Sequence, residues 1–327
     1  MKKLTNLLSV LFTILVMVAS CTPAETDISK TTINQSNNVT IMRLHEYNEM
    51  MKAQRPQTRV SGRTRFAASV DIIGAMIGME KAGGIGASLG LISGGAGMIA
   101  TVVGGGIIYG AASSYIAYRL CKGYGVRADD FYKYSLNDLN QNIKSDTMNF
   151  YNKYVHIPQK ADIKLPPGFK FLQAIGYQHN KQILGTDYDN PTTQSVVIKN
   201  PLQPVDNWTP PTLSEKALIY NALNSSELKK LYDKHVENLK SSIIHNEFNV
   251  DQFLKENSIS ERVDKAIKEY LDLFQTYPDN VDEIIKITND YIAIIEANNE
   301  FTDDEKAIIY AGLMVSIYSP QIWDGFE

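Results

Sequence analysis

Histidine is the side chain most able to bind a metal or move a proton near neutral pH, and this chain has five: His45, His156, His179, His235 and His245. A metal site would set two of them three or four residues apart, or beside a cysteine. None has that spacing. His179-Asn180 and His245-Asn246 repeat one dipeptide. A lone imidazole on an apolar helical face reads as a hydrogen-bonded core or rim residue. Cys121 has no histidine neighbour and follows an apolar stretch, which suits a buried thiol better than a nucleophile. The pairs Asp129-Asp130 and Asp303-Asp304 stand where helices are expected to begin, and there they favour the helix dipole. The glycine run at Ser93-Gly94-Gly95 lacks the Lys-Ser/Thr ending of a phosphate loop. No G-x-S-x-G elbow is present. No catalytic residue, metal site or cofactor is read from these patterns. An envelope hydrolase would need polar side chains assembled from distant positions. The net charge of −4 gives no basic bias towards nucleic acid.

The elements that would position such side chains are organised around residues 82–118. This stretch carries no charge and has glycine at 83, 84, 86, 90, 94, 95, 97, 104, 105, 106 and 110. Each glycine inside a helix costs about 1 kcal/mol relative to alanine. Eleven would cost on the order of 10 kcal/mol, comparable to the stability of a whole domain. The deficit must be offset by very close packing or by lipid. Gly74 and Gly78 stand four apart, as do Gly86, Gly90 and Gly94, and then Gly106, Gly110 and Ser114. Four residues is just over one helical turn, so each set is expected to line one face and admit another helix. The triple repeat resembles a glycine zipper, a pattern of membrane-active and bacteriocin-like peptides. A single span over 97–118 would strand the rest of an exported chain on the far side of the membrane. A helical hairpin avoids this. Its first helix runs to Ile92, the turn lies at Ser93-Gly94-Gly95, and the second helix runs to Tyr118. The hairpin is either embedded in the folded protein or inserted in a bilayer.

The N-terminus supplies the reason to consider lipid at all. Lys2 and Lys3 precede an apolar run from Leu7 to Val18, too short to span. Val18-Ala19-Ser20-Cys21 then resembles the lipobox of bacterial lipoprotein precursors. The resemblance covers only the first 21 residues. It implies removal of residues 1–20 and diacylglyceryl transfer to Cys21. It also implies stable attachment to a bilayer, since each buried methylene contributes roughly 0.8 kcal/mol. Thr22, where that family places Asp for inner-membrane retention, points to the outer membrane of a diderm bacterium. With Cys21 acylated, Cys121 has no intramolecular disulfide partner.

The expected organisation is a signal peptide at 1–20, a flexible tether at 21–40, and a short helix with a basic linker at 41–65. The glycine-rich apolar hairpin follows at 66–122, then a helical domain at 123–327 with a Pro-rich loop at 185–213. Arg55, Arg59, Arg63 and Arg65 suit either acidic lipid headgroups or a solvated loop. Phe171, Ile175, His179 and Ile183 recur every fourth residue, which predicts a helix with one buried stripe. Helices are expected at 213–223, 227–248 and 260–274, from Pro278 to about Ala297, and from a Thr302/Glu305 capping box to Tyr318. The segment Glu215-Lys216-Ala217-Leu218-Ile219-Tyr220 is echoed at Glu305-Lys306-Ala307-Ile308-Ile309-Tyr310. Common residue choices in amphipathic helices account for it as well as duplication does. The fold class is therefore mainly α. The leading role is a lipid-anchored, non-enzymatic interaction domain, with the hairpin as a structural or oligomerising element and a protein partner or a second copy as its ligand. The rival is a membrane-active effector that inserts the hairpin.

Overall fold

The computed structural model describes residues 39–54, 62–91, 96–121, 128–145, 160, 162–185, 212–244, 247–276 and 281–323. The protein is mainly helical. The lipobox with Cys21, most of the tether, Arg55 and Arg59, the Ser93-Gly94-Gly95 turn, His156, His245 and nearly all of the Pro-rich loop lie outside the described residues. So do the side chains of Arg63, Arg65 and Cys121.

In chain order the helices are α1 (Val39–Ala53), α2 (Gly62–Ser88), α3 (Ala96–Cys121) and α4 (Ala128–Ser145). A 3₁₀ turn, Pro167–Leu172, leads into α5 (Gln173–Gly185). Then come α6 (Leu213–Leu223) and α7 (Ser226–Ser242), a two-residue hairpin of β1 (Ile243–Ile244) and β2 (Glu247–Phe248), and α8 (Val250–Glu256). The chain continues through α9 (Glu261–Thr276), α10 (Val281–Glu296), α11 (Asp303–Tyr318) and the single turn α12 (Pro320–Trp323). The helix expected at 227–248 stops early, at Ser242. Ile243 there takes an extended conformation and pairs antiparallel with Phe248.

Helices α2 and α3 form an antiparallel pair at the centre. An added Cβ on Gly74 would strike the Ser113 side chain, and one on Gly78 would strike the Gly105 carbonyl oxygen and the Tyr109 Cβ. Nearer the tip, one on Gly83 would come within 3.1 Å of Val102. Hydrogen at these positions lets the two backbones approach where any side chain would hold them apart. Around this pair, α5 and α11 pack on one side and α6 and α7 on the other. Helix α11 is buried on all faces from Ile309 onward. It also relies on close approach: Gly176 of α5 faces the Met314 carbonyl oxygen, and Gly312 faces Met76 of α2. The hairpin and the C-terminal helices therefore share one hydrophobic core.

The chain divides into two units, Met1–Val39 and Thr40–Glu327. Within the second, α1 is clamped by polar contacts. The Asn48 amide donates to the Glu269 carbonyl oxygen at 2.8 Å and accepts from the Tyr291 hydroxyl. Tyr47 donates to Asp290 at 2.7 Å.

Local signals decide the helix ends. Thr302 and Glu305 form the expected capping box of α11, and Thr212 and Glu215 form another on α6. The sequence echo thus extends to its caps. Helix α2 ends at Ser88, four residues before the expected Ile92. Gly90 has φ +92°, its N–H donates to the Ala87 carbonyl, and the Leu91 N–H donates to the Gly86 carbonyl. This is a Schellman C-cap, which favours glycine because the left-handed conformation strains any residue with a Cβ.

That cap corrects part of the zipper reading. Gly90 does not line a packed face: a Cβ there would meet nothing within 4 Å. Gly86 sits at the last turn of α2 and does face the partner helix: an added Cβ would stand 3.3 Å from Met98 and Thr101 of α3, and as close to Leu91, which folds back over it. Gly94 lies outside the described residues. Of the two described glycines, Gly86 is a helix contact and Gly90 is the cap that ends the helix.

Candidate functional site

The third glycine set leads to the most polar part of the core. Gly106, Gly110 and Ser114 face α5, where Ile175, His179 and Ile183 continue the buried stripe that begins at Phe171 in the 3₁₀ turn. An added Cβ would stand 3.1 Å from Ile175 at Gly106, and 3.2 Å from the His179 ring at Gly110. One turn further, the Ser114 hydroxyl meets His179 Nε2 at 2.8 Å. Two sequence stripes of equal period thus meet along their length: the glycines make the groove and α5 fills it.

The His179 network is completed by its neighbour Asn180, by α2 and α11, and by Ser319 at the C-cap of α11. His179 Nδ1 lies 2.9 Å from Asn180 Oδ1, and the Asn180 amide donates to the Tyr318 carbonyl oxygen at 2.7 Å. An amide that donates through its nitrogen presents only its oxygen to the ring. His179 Nδ1 therefore carries a proton. Asp71 of α2 reaches within 3.6 Å of the same Nε2, and the Ser319 hydroxyl donates to the Asp71 carboxylate. Asp71, Ser114, His179 and Ser319 are completely buried, and Asn180 nearly so.

A second histidine grips the neighbouring serine from the other side. Ser113 donates back to the Tyr109 carbonyl oxygen at 2.8 Å, and its oxygen lies 2.8 Å from His235 Nε2 on α7. With the serine proton already used, His235 Nε2 is the donor. Its Nδ1 has no hydrogen-bond partner among the described residues. The rings of Tyr109 and Phe253 flank it at 5.1 and 5.3 Å. Burial pushes the imidazole down to about 3; Asn257 opposes this and the Lys81 cation adds to it. His235 is therefore neutral at any ordinary pH while the fold is intact.

A serine hydroxyl on a histidine nitrogen is the first half of a nucleophile-and-base arrangement. The rest does not follow. The carboxylate faces the nitrogen that holds the serine, rather than the opposite one. Both hydroxyls lie in the middle of a helix with no exposed surface. The network satisfies buried polar groups and sets the rotation and register of α3 between α5 and α7, because a slip of one residue would orphan several of them at once.

The other sequence candidates fall elsewhere. His45 is on the surface, 3.3 Å from Glu269. Asp129 is in the first turn of α4 and pairs with Lys229 at 2.9 Å. Among the described residues, no group of His, Cys, Asp and Glu could hold a metal ion. Sequence reasoning set aside His179 and His235 singly and gave no role to Asp71, Ser113 or Ser319. The available signal was the adjacent Ser113-Ser114 pair inside an uncharged stretch. It also passed over Gly105, where an added Cβ would strike Ala82 and the Gly78 carbonyl oxygen.

One helix among the described residues, over Gly97–Leu120, is long and apolar enough to cross a membrane, and its apolar window is entirely buried within the protein. The chain matches no known family model, no curated protein and no solved structure.

Proposed function

We propose that this protein is a lipoprotein of the bacterial cell envelope, held to the outer membrane through acylated Cys21. Its Thr40–Glu327 unit would act as a non-catalytic helical interaction domain, towards a protein partner or a second copy. The observation that carries this reading is the enclosure of α3. A helix apolar enough for lipid is instead packed on every side by the protein's own helices. A domain built this way needs no bilayer to shield its core, so lipid is required only at the anchor. The histidine–serine contacts support a structural role because no solvent reaches them.

The test is fractionation of the full chain and its Cys21→Ser variant. The wild type should sediment with membranes. The variant should be released as folded, detergent-free protein with 97–120 resistant to protease. Aggregation of the released variant, or ready cleavage within 97–120, would remove the basis of the proposal.

A second reading, a membrane-active effector, is favoured by the length and composition of Gly97–Leu120. In it the enclosed hairpin is a stored form that later enters a target bilayer. Release of dye from loaded vesicles by the Cys21→Ser protein would favour this reading; intact vesicles would eliminate insertion under those conditions.

A further inference from the structure

The two histidines that hold α3 sit in opposite electrostatic surroundings. His179 faces a carboxylate, Asp71 of α2, at 3.6 Å; its other contacts are Ser114 of α3, Asn180 of its own helix and, through Asn180, the Tyr318 carbonyl of α11. An imidazolium at His179 would have a counter-charge. His235 has none. From α3 it meets Tyr109 and Ser113, from α8 Phe253 and Asn257, and from α2 the Lys81 cation. Lys81 itself ties α2 to α8, bonding the Asn257 carbonyl oxygen at 3.0 Å and Glu80 at 3.2 Å.

The geometry points to a one-sided acid latch: proton uptake at His235 frees α7 and α8 from the α2–α3 hairpin, while α5 keeps its grip through His179. This rests on the enclosure of α3 described above, and is independent of the lipid anchor.

The sign follows from linkage. His235 sits at about 3 in the closed state and returns to its ordinary 6.5 once solvated, so the open state binds the proton more tightly. Opening is therefore unaffected above about pH 7 and increasingly favoured as pH falls from 6.5 towards 3. From these two values, His235 alone favours opening roughly 30-fold at pH 5. Glu80 acts in the opposite direction: burial raises its carboxyl against the pull of Lys81, so the closed state holds that proton more tightly, and the acid dependence of opening is carried by His235. The surface uncovered would be the apolar α3 face carrying Tyr109 and Ser113.

Amide hydrogen exchange of the full chain at pH 7.5 and 5.0, corrected for intrinsic rates, tests this. In the wild type, protection of 226–242 and of the central part of α3 should fall by roughly 30-fold, while 173–185 keeps its own. His235→Gln retains an N–H donor for Ser113 and cannot be charged, so its loss should shrink to a few-fold. Equal loss in both proteins, or prior loosening of 173–185, overturns the latch. Should His235→Gln not fold, NMR titration of wild-type His235 decides. A folded-state midpoint near 6.5 overturns the proposal, and no titration down to the pH of opening supports it. Membrane fractionation of His235→Gln would match the wild type, so failure of the latch and failure of the anchored-domain reading remain distinguishable.

Discussion

Gly78→Ala and Gly84→Ala are the same chemical change within one helix, yet they should move stability in opposite directions. Both residues lie within α2, and alanine is intrinsically better than glycine there by about 1 kcal/mol. Gly84 is exposed and an added methyl meets nothing within 4 Å, so the full gain of about 1 kcal/mol should appear. At Gly78 the methyl would lie 2.5 Å from Tyr109 Cβ and closer still to the Gly105 carbonyl oxygen. Ordinary contact begins near 3.4 Å, so α2 and α3 would have to separate by roughly 1 Å along their seam. A backbone oxygen cannot rotate away as a side-chain tip can. Overpacking of this kind costs about 1–3 kcal/mol and sometimes more. Separation would also loosen Gly74 against Ser113 and Gly105 against Ala82, which share the seam. The expected net loss is about 2 kcal/mol, which leaves the two variants about 3 kcal/mol apart, on the order of 100-fold in the unfolding equilibrium. Urea denaturation followed by circular dichroism, with unchanged slopes, measures the difference. If Gly78→Ala were as stable as Gly84→Ala, the claim that absent side chains bring α2 and α3 together would be wrong.

Other expectations are narrower. Thr302→Ala removes the side chain that caps α11 and should cost about 1 kcal/mol in the same denaturation assay. Asn48→Ala leaves the Tyr291 hydroxyl and the Glu269 carbonyl without their partner, at about 2–3 kcal/mol; limited proteolysis should then cut within 39–54 sooner than elsewhere in the described helices. Gly90→Leu should cost about 1–2 kcal/mol through its φ of +92° alone, with no failure of assembly, because no neighbour stands in the way; size-exclusion chromatography with a thermal melt checks both parts.

Much of the helical plan could be read without coordinates. The period of Phe171, Ile175, His179 and Ile183 was sufficient because an amphipathic stripe reports its own burial. The Thr302/Glu305 box was sufficient because capping is settled within four residues. Gly90 misled for a related reason. A four-residue spacing describes one helical face only while the helix continues, and Gly90 ends it through a φ that spacing does not encode. The polar cluster was hidden because its members come from α2, α3, α5 and the C-cap of α11, and no local pattern links Asp71 to Ser319. Their separation of 248 residues is bridged by one hydroxyl.

By itself, the sequence determined that the chain would be helical, that 82–118 had to be shielded from water, and that residues 18–21 resemble a lipobox. These are properties of composition and short-range spacing, and each follows from the cost of exposing apolar or unpaired backbone groups. Tertiary structure alone decided what does the shielding, which glycines are contacts and which are caps, and that Ser113 and Ser114 are gripped by histidines in unlike electrostatic settings. Those outcomes depend on which helices lie against which, and burial, dielectric and counter-charge exist only after the helices have packed.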